Sequence, residues 1–349
     1  MNLFLQNDID EILNLASREL NSLRDKKILL AGGKGFLGRY FSEVIHQYNK
    51  LHERKINLIL IDNFSSSNDD LDENSETKNI NFINGDICNL NTLKNLKDFD
   101  YIIHAAGIAS PFYYRSKPLQ TIDVSINGSR NLLEMSKKFG SKFIFFSSSE
   151  IYGDPDPKKI PIQESYRGNV STLGPRACYD ESKRLGETLC YVYNSYSNVH
   201  TNIIRPFNIY GPGMQENDYR VMPNFASKIK SNQNLKLYGS AKQTRTFCYI
   251  TDAMTGFLRV ILLGKFGEIY NIGNQLNEIS MINLVKIFDK ILKKRNKYKL
   301  INYPKNYPAD EPMRRCPNIN KAIQDTKYNP KVSVEEGVYR VLKYNKLSA

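Results

Sequence analysis

Residues 26–45 read KKILLAGGKGFLGRYFSEVI, and three patterns follow one another within them. Ile28, Leu29 and Leu30 make a short apolar run, as expected of a strand covered on both faces. Gly32, Gly35 and Gly38 follow in G-x-x-G-x-x-G spacing, with Gly33 beside the first. Phe36, Leu37, Tyr40, Phe41 and Val44 then recur at helical spacing. A strand, a glycine turn and a helix in this order suit a pyrophosphate. The glycines let it approach the backbone, and the helix N-terminus stabilises its charge.

The next apolar run, INLILIDN (56–63), reads as a second strand ending on Asp62. A carboxylate there is placed to accept a hydrogen bond from a ribose 2′-hydroxyl and would repel a 2′-phosphate, which predicts NAD rather than NADP. A third strand, INFINGDI (80–87), ends at Asp86 and Ile87. The acid can hold an adenine amino group while the isoleucine packs on the ring; a helix N-cap is equally good chemistry for Asp86. The expected cofactor residues are Gly32, Gly35, Phe36, Leu37, Gly38, Asp62, Asn63, Asp86 and Ile87, joined by Tyr179 and Lys183 below.

Further apolar runs at DYIIHAAG (100–107), KFIFFSSSEIYG (142–153) and VHTNIIRPFNIYG (199–211) alternate with helical patterns such as TIDVSINGSRNLLEMSKKFG (121–140). Strands alternating with helices predict an α/β, doubly wound parallel sheet. From about Met214 the pattern loosens into a smaller mixed region. The expected division is an amphipathic helix over 1–25 and a Rossmann domain over 26–205 with a returning segment near 240–272. Residues 206–239 and 273–349 form the substrate domain.

The chain has 349 residues, 41% hydrophobic and 24% charged, enough for a large core and typical of a globular protein. No run reaches the length of a membrane span. The first twenty residues read as an amphipathic helix rather than a signal peptide, because Asp8, Asp10 and Glu11 interrupt the apolar run. Five scattered cysteines without Cys-x-x-Cys predict reduced thiols and a cytoplasmic setting. Four unpaired histidines predict no metal site. The net charge of +13 admits nucleic acid, acidic membrane or an anionic small molecule as partner. The densest run, KILKKRNKYK (290–299), reads as a solvated helix end, so nucleic acid is not expected.

GPRACYDESKR (174–184) places Tyr179 and Lys183 four apart, on one helix face. An ammonium beside a phenol favours the phenolate and lowers a pKa of about 10. Alone, the spacing is common by chance. Its context is Ser147, Ser148, Ser149 and Glu150 at the end of the fifth strand, where doubly wound sheets bind ligands.

Taken together, these elements resemble the extended short-chain dehydrogenase/reductases that modify nucleotide sugars, over nearly the whole chain from Lys26. Within that group the motifs are most like those of the UDP-glucuronate decarboxylases. GPRACYDESKR is similar to their GPRACYDEGKR, SSSEIYGDP (147–155) to STSEVYGDP, GSAKQTRTFCYITD (239–252) to GSGSQTRAFQYVSD, and RRCPNI (314–319) to KRKPDI. The resemblance implies catalytic roles for Tyr179 as base, Lys183 as its partner, Ser148 at the place of a threonine, Glu150 near the sugar, and Arg315 at the sugar's acidic end. It implies substrate contacts from Ser149, Asn208, Arg220, Asn224, Arg245 and Arg315, with Arg245 on the diphosphate. It also implies a homodimer built on helices near 127–138 and 179–193.

The implied reaction is NAD-dependent decarboxylation of a nucleotide-linked uronic acid by oxidation at C4, loss of CO2 and re-reduction, within polysaccharide biosynthesis. Alternatives are a 4,6-dehydratase, an apiose-type synthase or an epimerase, and, from another class, a non-catalytic NAD-bound scaffold. Ser149-Glu150 stands where the dehydratases have an Asp-Glu pair, which favours decarboxylation. Departures from the family pattern are AGGKGF (31–36), GPGMQ (211–215) and GIASPF (107–112).

Overall fold

The structure, a computed structural model, describes residues 4–66, 78–215, 220–302 and 312–347. Seven strands build the central sheet: β1 (Lys27–Ala31), β2 (Asn57–Asp62), β3 (Ile80–Asn84), β4 (Tyr101–His104), β5 (Lys142–Phe146), β6 (Thr201–Pro206) and β7 (Ile269–Ile272). Their order is β7-β6-β5-β4-β1-β2-β3, and every pairing is parallel. Among the helices around it are α1 (Gln6–Leu15), α2 (Ser17–Ser22), α3 (Phe36–Leu51), α4 (Ser129–Phe139), α5 (Ala177–Ser197), α6 (Val221–Lys230), α7 (Ile250–Leu263) and α8 (Val334–Tyr344).

Side chains alternate across a strand, so a sheet buried on both faces needs apolar residues at every position. Ile28 and Leu30 of β1 pack into one core, while Leu29 and Ala31 pack into another on the opposite face. Ile144 and Phe146 of β5 join the first core, Phe143 and Phe145 the second. These are the continuous apolar runs that the sequence shows. Strand order reverses between β1 and β4, and ligands of open α/β sheets bind in the crevice at such a switch point. Gly32 sits there at φ +87°, and a Cβ on it would meet Ala106 N at 2.6 Å.

The N-terminal pattern resolves into two helices, not one. Ala16, at φ −110° and ψ 19°, breaks the run between α1 and α2. Ile9, Ile12, Ala16 and Leu20 are buried as their spacing predicts. Asp8 is fully buried as well. Its carboxylate accepts the Tyr249 hydroxyl at 2.6 Å and Arg340 of α8 at 3.0 Å. The basic run 290–299 begins at the end of the Met281–Leu292 helix and continues into the strand Tyr298–Ile301. All five cysteines are free thiols.

Candidate active site

The glycine turn closes tightly on itself. Gly32 and Gly33 donate their N–H groups to Ile61 O at 2.8 and 3.2 Å. A Cβ on Gly38 would lie 2.1 Å from Gly32 O, so this position in α3 admits glycine alone. Gly35, the N-cap of α3, is different. Its φ of −69° suits any residue. A Cβ there would meet nothing across the turn nearer than Gly32 O at 3.4 Å. The fold itself does not require glycine at 35, and its absence of a Cβ leaves the backbone open to close approach. No N-cap side chain bonds the start of α3, and no acid lies in its first turn, so this helix end suits an anion.

Asp62 ends β2 as expected, and its two oxygens accept Lys34 N and Phe64 N, each at 2.9 Å. The carboxylate thus also holds the glycine turn. Asp86 is not a helix N-cap; it turns the chain after β3 by accepting Cys88 N at 2.8 Å, and Asn63 Nδ2 donates to it at 3.2 Å. Ile87 is buried, and a Cβ on Gly128 would press on its Cδ1. Gly32, Gly35, Asp62, Asn63, Asp86 and Ile87 line one cavity of about 150 Å³. Ala105 and Gly107 also line it, and both line a second cavity of about 720 Å³ as well. The two form one cleft along the carboxyl ends of the strands.

The larger cavity collects the expected catalytic residues. Ser148 follows β5 and caps a 3-10 turn, its hydroxyl accepting Glu150 N at 3.2 Å. Tyr179 and Lys183 lie on the first turns of α5, and both are buried. Burial pushes the Tyr179 phenol above its ordinary pKa; the hydrogen bond to Ser148 and the charges of Arg220 and Arg176 pull it back, while Asp180 adds to the rise. Lys183 is not among the strongest influences on that phenol. Its ammonium instead donates to Phe146 O at 2.8 Å and lies over the Phe145 ring. Burial brings the Lys183 pKa down to about 8.

Glu150 faces the cavity between two guanidiniums: Arg315 Nη1 holds one oxygen and Arg176 Nη2 the other. Arg315, only 1% exposed, also donates to Ser149 Oγ at 3.4 Å. Asn208 lines the cavity from a left-handed backbone position, its amide donating to Thr246 O at 3.1 Å. Arg220 precedes α6 and Asn224 lies on it. Arg245 Nη1 donates to Thr244 O and Pro312 O at 2.7 and 2.8 Å. All of these expected substrate residues line the one cavity. Among the described residues its walls carry Arg176, Lys183, Arg220, Lys228, Lys236, Arg245 and Arg315 against the single carboxylate of Glu150. Walls of this charge suit an anionic ligand. No cluster of metal-ligating side chains occurs among the described residues.

The model of the NAD dependent epimerase/dehydratase family matches residues 28–273, from β1 through β7. The chain belongs to that family. It is accordingly an NAD-dependent enzyme of the nucleotide-sugar group. The chain is 35% identical to UDP-glucuronic acid decarboxylase 6 of Arabidopsis thaliana, over 89% of its own length and 86% of that relative. It is 32% identical to UDP-glucuronic acid decarboxylase 1 of Xenopus tropicalis, over 91% and 72%. A solved structure of UDP-glucuronic acid 4-epimerase from Bacillus cereus, in complex with UDP-glucuronic acid and NAD, superposes with a TM-score of 0.78. It is 26% identical, over 92% of this chain and 99% of that one.

The open face at Gly35, the uncapped start of α3 and the Asp62 carboxylate fit the cofactor that defines this family. Four residues of the site carry no assignment from sequence. Tyr114 stacks on Tyr179 at a centroid distance of 5.4 Å. Lys228 and Lys236 add charge to the cavity wall. Arg176 lies within the GPRACYDESKR motif, but nothing in its spacing reveals a contact with Glu150.

Proposed function

We propose that this epimerase/dehydratase-family enzyme decarboxylates a nucleotide-linked uronic acid, of the UDP-glucuronate to UDP-xylose type. The observation that carries this reading is the buried Arg315 guanidinium on the same cavity as Ser148 and Tyr179. A cation there suits a carboxylate at one end of a sugar whose hydroxyl meets the phenol. The identity to named UDP-glucuronic acid decarboxylases supports it.

NAD, when bound, supplies the hydride acceptor and donor for C4 of the sugar. Gly32, Gly35, Phe36, Leu37 and Gly38 would hold its pyrophosphate and Asp62 its ribose. Asn63, Asp86 and Ile87 would enclose its adenine. Tyr179, steadied by Ser148, takes the proton of the C4 hydroxyl. Lys183 supplies positive charge one turn along α5. With C4 at the ketone level the C6 carboxylate is that of a β-keto acid. CO2 then leaves without a proton, and the C5–C6 bonding pair passes into an enolate that the C4 oxygen stabilises; a proton from solvent at C5 gives the 4-keto pentose, whose C4 would regain the hydride, with a proton returned to its oxygen through Tyr179. Ser149 and Glu150 border this end of the sugar, and Ser149 offers no carboxylic acid to protonate a departing hydroxyl. Arg245, Arg220, Asn224 and Asn208 receive the nucleotide and its diphosphate.

Residues 26–205 with 240–272 would carry the cofactor, and 206–239 with 273–349 the nucleotide sugar. A cytoplasmic homodimer serving polysaccharide biosynthesis fits the free thiols and the exposed Leu185, Tyr191, Val192 and Tyr196 on α5. The test is to incubate the purified protein with UDP-, CDP-, GDP- and dTDP-linked uronic acids and to identify products by mass and NMR. A pentose product supports the reading. A C4-epimeric uronic acid as sole product replaces it with an epimerase.

A further inference from the structure

Arg176 stands at a junction that none of the roles above explains. It is the residue before α5, and its carbonyl accepts Tyr179 N at 2.9 Å and Asp180 N at 3.0 Å. Its side chain turns back across the same turn. Nη2 holds Glu150, from the turn after β5, and Nε approaches Asp180 Oδ2 at 3.4 Å. One guanidinium therefore joins two carboxylates from two elements, one in the cavity and one next to the phenol. Asp180 is 4% exposed.

We propose that Arg176 is a positioning residue that sets both the aim of Glu150 into the cavity and the ionisation of Tyr179. This rests on Tyr179 being the base of the reaction proposed above. The planar guanidinium offers several donors in fixed directions, so it can span two carboxylates where an ammonium presents a single charged point. It leaves Glu150 shared with Arg315, and so holds that carboxylate in one place between two fixed cations. It also offsets the negative charge of Asp180, which lies one residue from Tyr179 and opposes formation of the phenolate. The other groups around the phenol are Ser148 and Glu150 from the β5 turn, Tyr113 and Tyr114 from the Pro111–Ser116 helix, Arg220 before α6, and Cys178 and Lys183 on α5. Among them Ser148 and Arg220 act with Arg176 on the phenol, and Asp180 acts against it.

The test uses the NAD-loaded full chain labelled with 3-fluorotyrosine, whose phenol ionises at lower pH, read by 19F NMR. Loss of one resonance in Tyr179→Phe assigns the signal. Arg176→Gln should move the Tyr179 titration to higher pH by roughly half a unit to one unit. Arg176→Lys should move it less. Adding Asp180→Asn to Arg176→Gln should bring it back toward the native midpoint. In steady-state assays Arg176→Gln should lower kcat and shift the rising limb of its pH profile the same way. The double variant should recover the pH profile but not the full rate, because Glu150 has still lost a partner. If Arg176→Gln fails to fold, Asp180→Asn alone must titrate below the native protein. An Arg176→Gln titration superimposable on the native one overturns the proposal, as does an unchanged midpoint in Asp180→Asn. A shifted titration in a protein that converts no uronic acid keeps the role of Arg176 and removes the proposed reaction.

Discussion

Lys183 lies one helical turn from Tyr179, yet its ammonium donates to the Phe146 carbonyl at 2.8 Å. The pair is a helix-face neighbourhood, as the i,i+4 spacing requires, but not a direct contact of charge and phenol. Burial works against both groups: it raises the phenol and lowers the ammonium to about 8. At neutral pH the site therefore holds the Lys183 ammonium at a cost in folding stability, while the neutral phenol carries none.

Lys183→Met should make the NAD-free protein more stable and inactive. The native pKa lies below the ordinary 10.5, so the penalty is full below about pH 8 and fades as pH rises toward 10.5. Removing it, less the lost bond to Phe146, should gain roughly 1–3 kcal/mol at pH 7. Thermal melts at pH 7 and pH 10 check this: the variant's advantage should shrink at the higher pH. Equal or lower stability at pH 7 would mean that the ammonium is well solvated in its niche.

Tyr179→Phe keeps the ring that stacks on Tyr114 and removes the hydroxyl bonded to Ser148. Fold and NAD content should survive, and turnover should fall by about 10²–10⁴. Near-native turnover would exclude the phenol as base.

Gly35→Ala and Gly38→Ala separate two reasons for a glycine. At 38 a Cβ would strike Gly32 O, backbone against backbone, so the variant should lose roughly 2–4 kcal/mol of stability. At 35 the fold has room, so stability should stay within about 0.5 kcal/mol of native while NAD affinity drops. Melting curves with and without NAD distinguish them. A Gly35→Ala protein that binds NAD normally would contradict the placement of the pyrophosphate.

The sheet was legible because its central strands β1 and β5 hold near-continuous apolar runs and its glycine turn stands between a strand and a helix. Ile28 to Leu30 and Phe143 to Phe146 needed no structure to be read as strands. The break at Ala16 was not legible, since the apolar spacing runs through it unchanged. The burial of Asp8 was not legible either, because it depends on partners 241 and 332 positions away, at Tyr249 and Arg340. In the site, side chains from the strand ends could be named from motifs. The direction of the Lys183 ammonium could not, because a helix position fixes a face and not a rotamer. Arg176 was hidden for the same reason: its partners come from two elements.

Ser149→Asp introduces a carboxylate at a site 2% exposed and within reach of Arg315. It should compete with Glu150 for that guanidinium and repel an incoming carboxylate. KM for a uronic acid should rise by roughly tenfold or more, through the charge lost to the substrate. Product analysis with UDP-glucose should still find no 4-keto-6-deoxy sugar. An unchanged KM would place the substrate carboxylate away from Arg315.

The most direct test of decarboxylation follows the C6 carbon. Native protein loaded with NAD is given UDP-glucuronic acid labelled with 13C at C6, and the solution is monitored by 13C NMR and by absorbance of reduced nicotinamide. The expected result is label appearing as CO2 and bicarbonate, in step with an unlabelled UDP-pentose, with no net accumulation of NADH. Label that remains on the sugar while C4 inverts, or a substrate recovered unchanged, would contradict the proposed reaction.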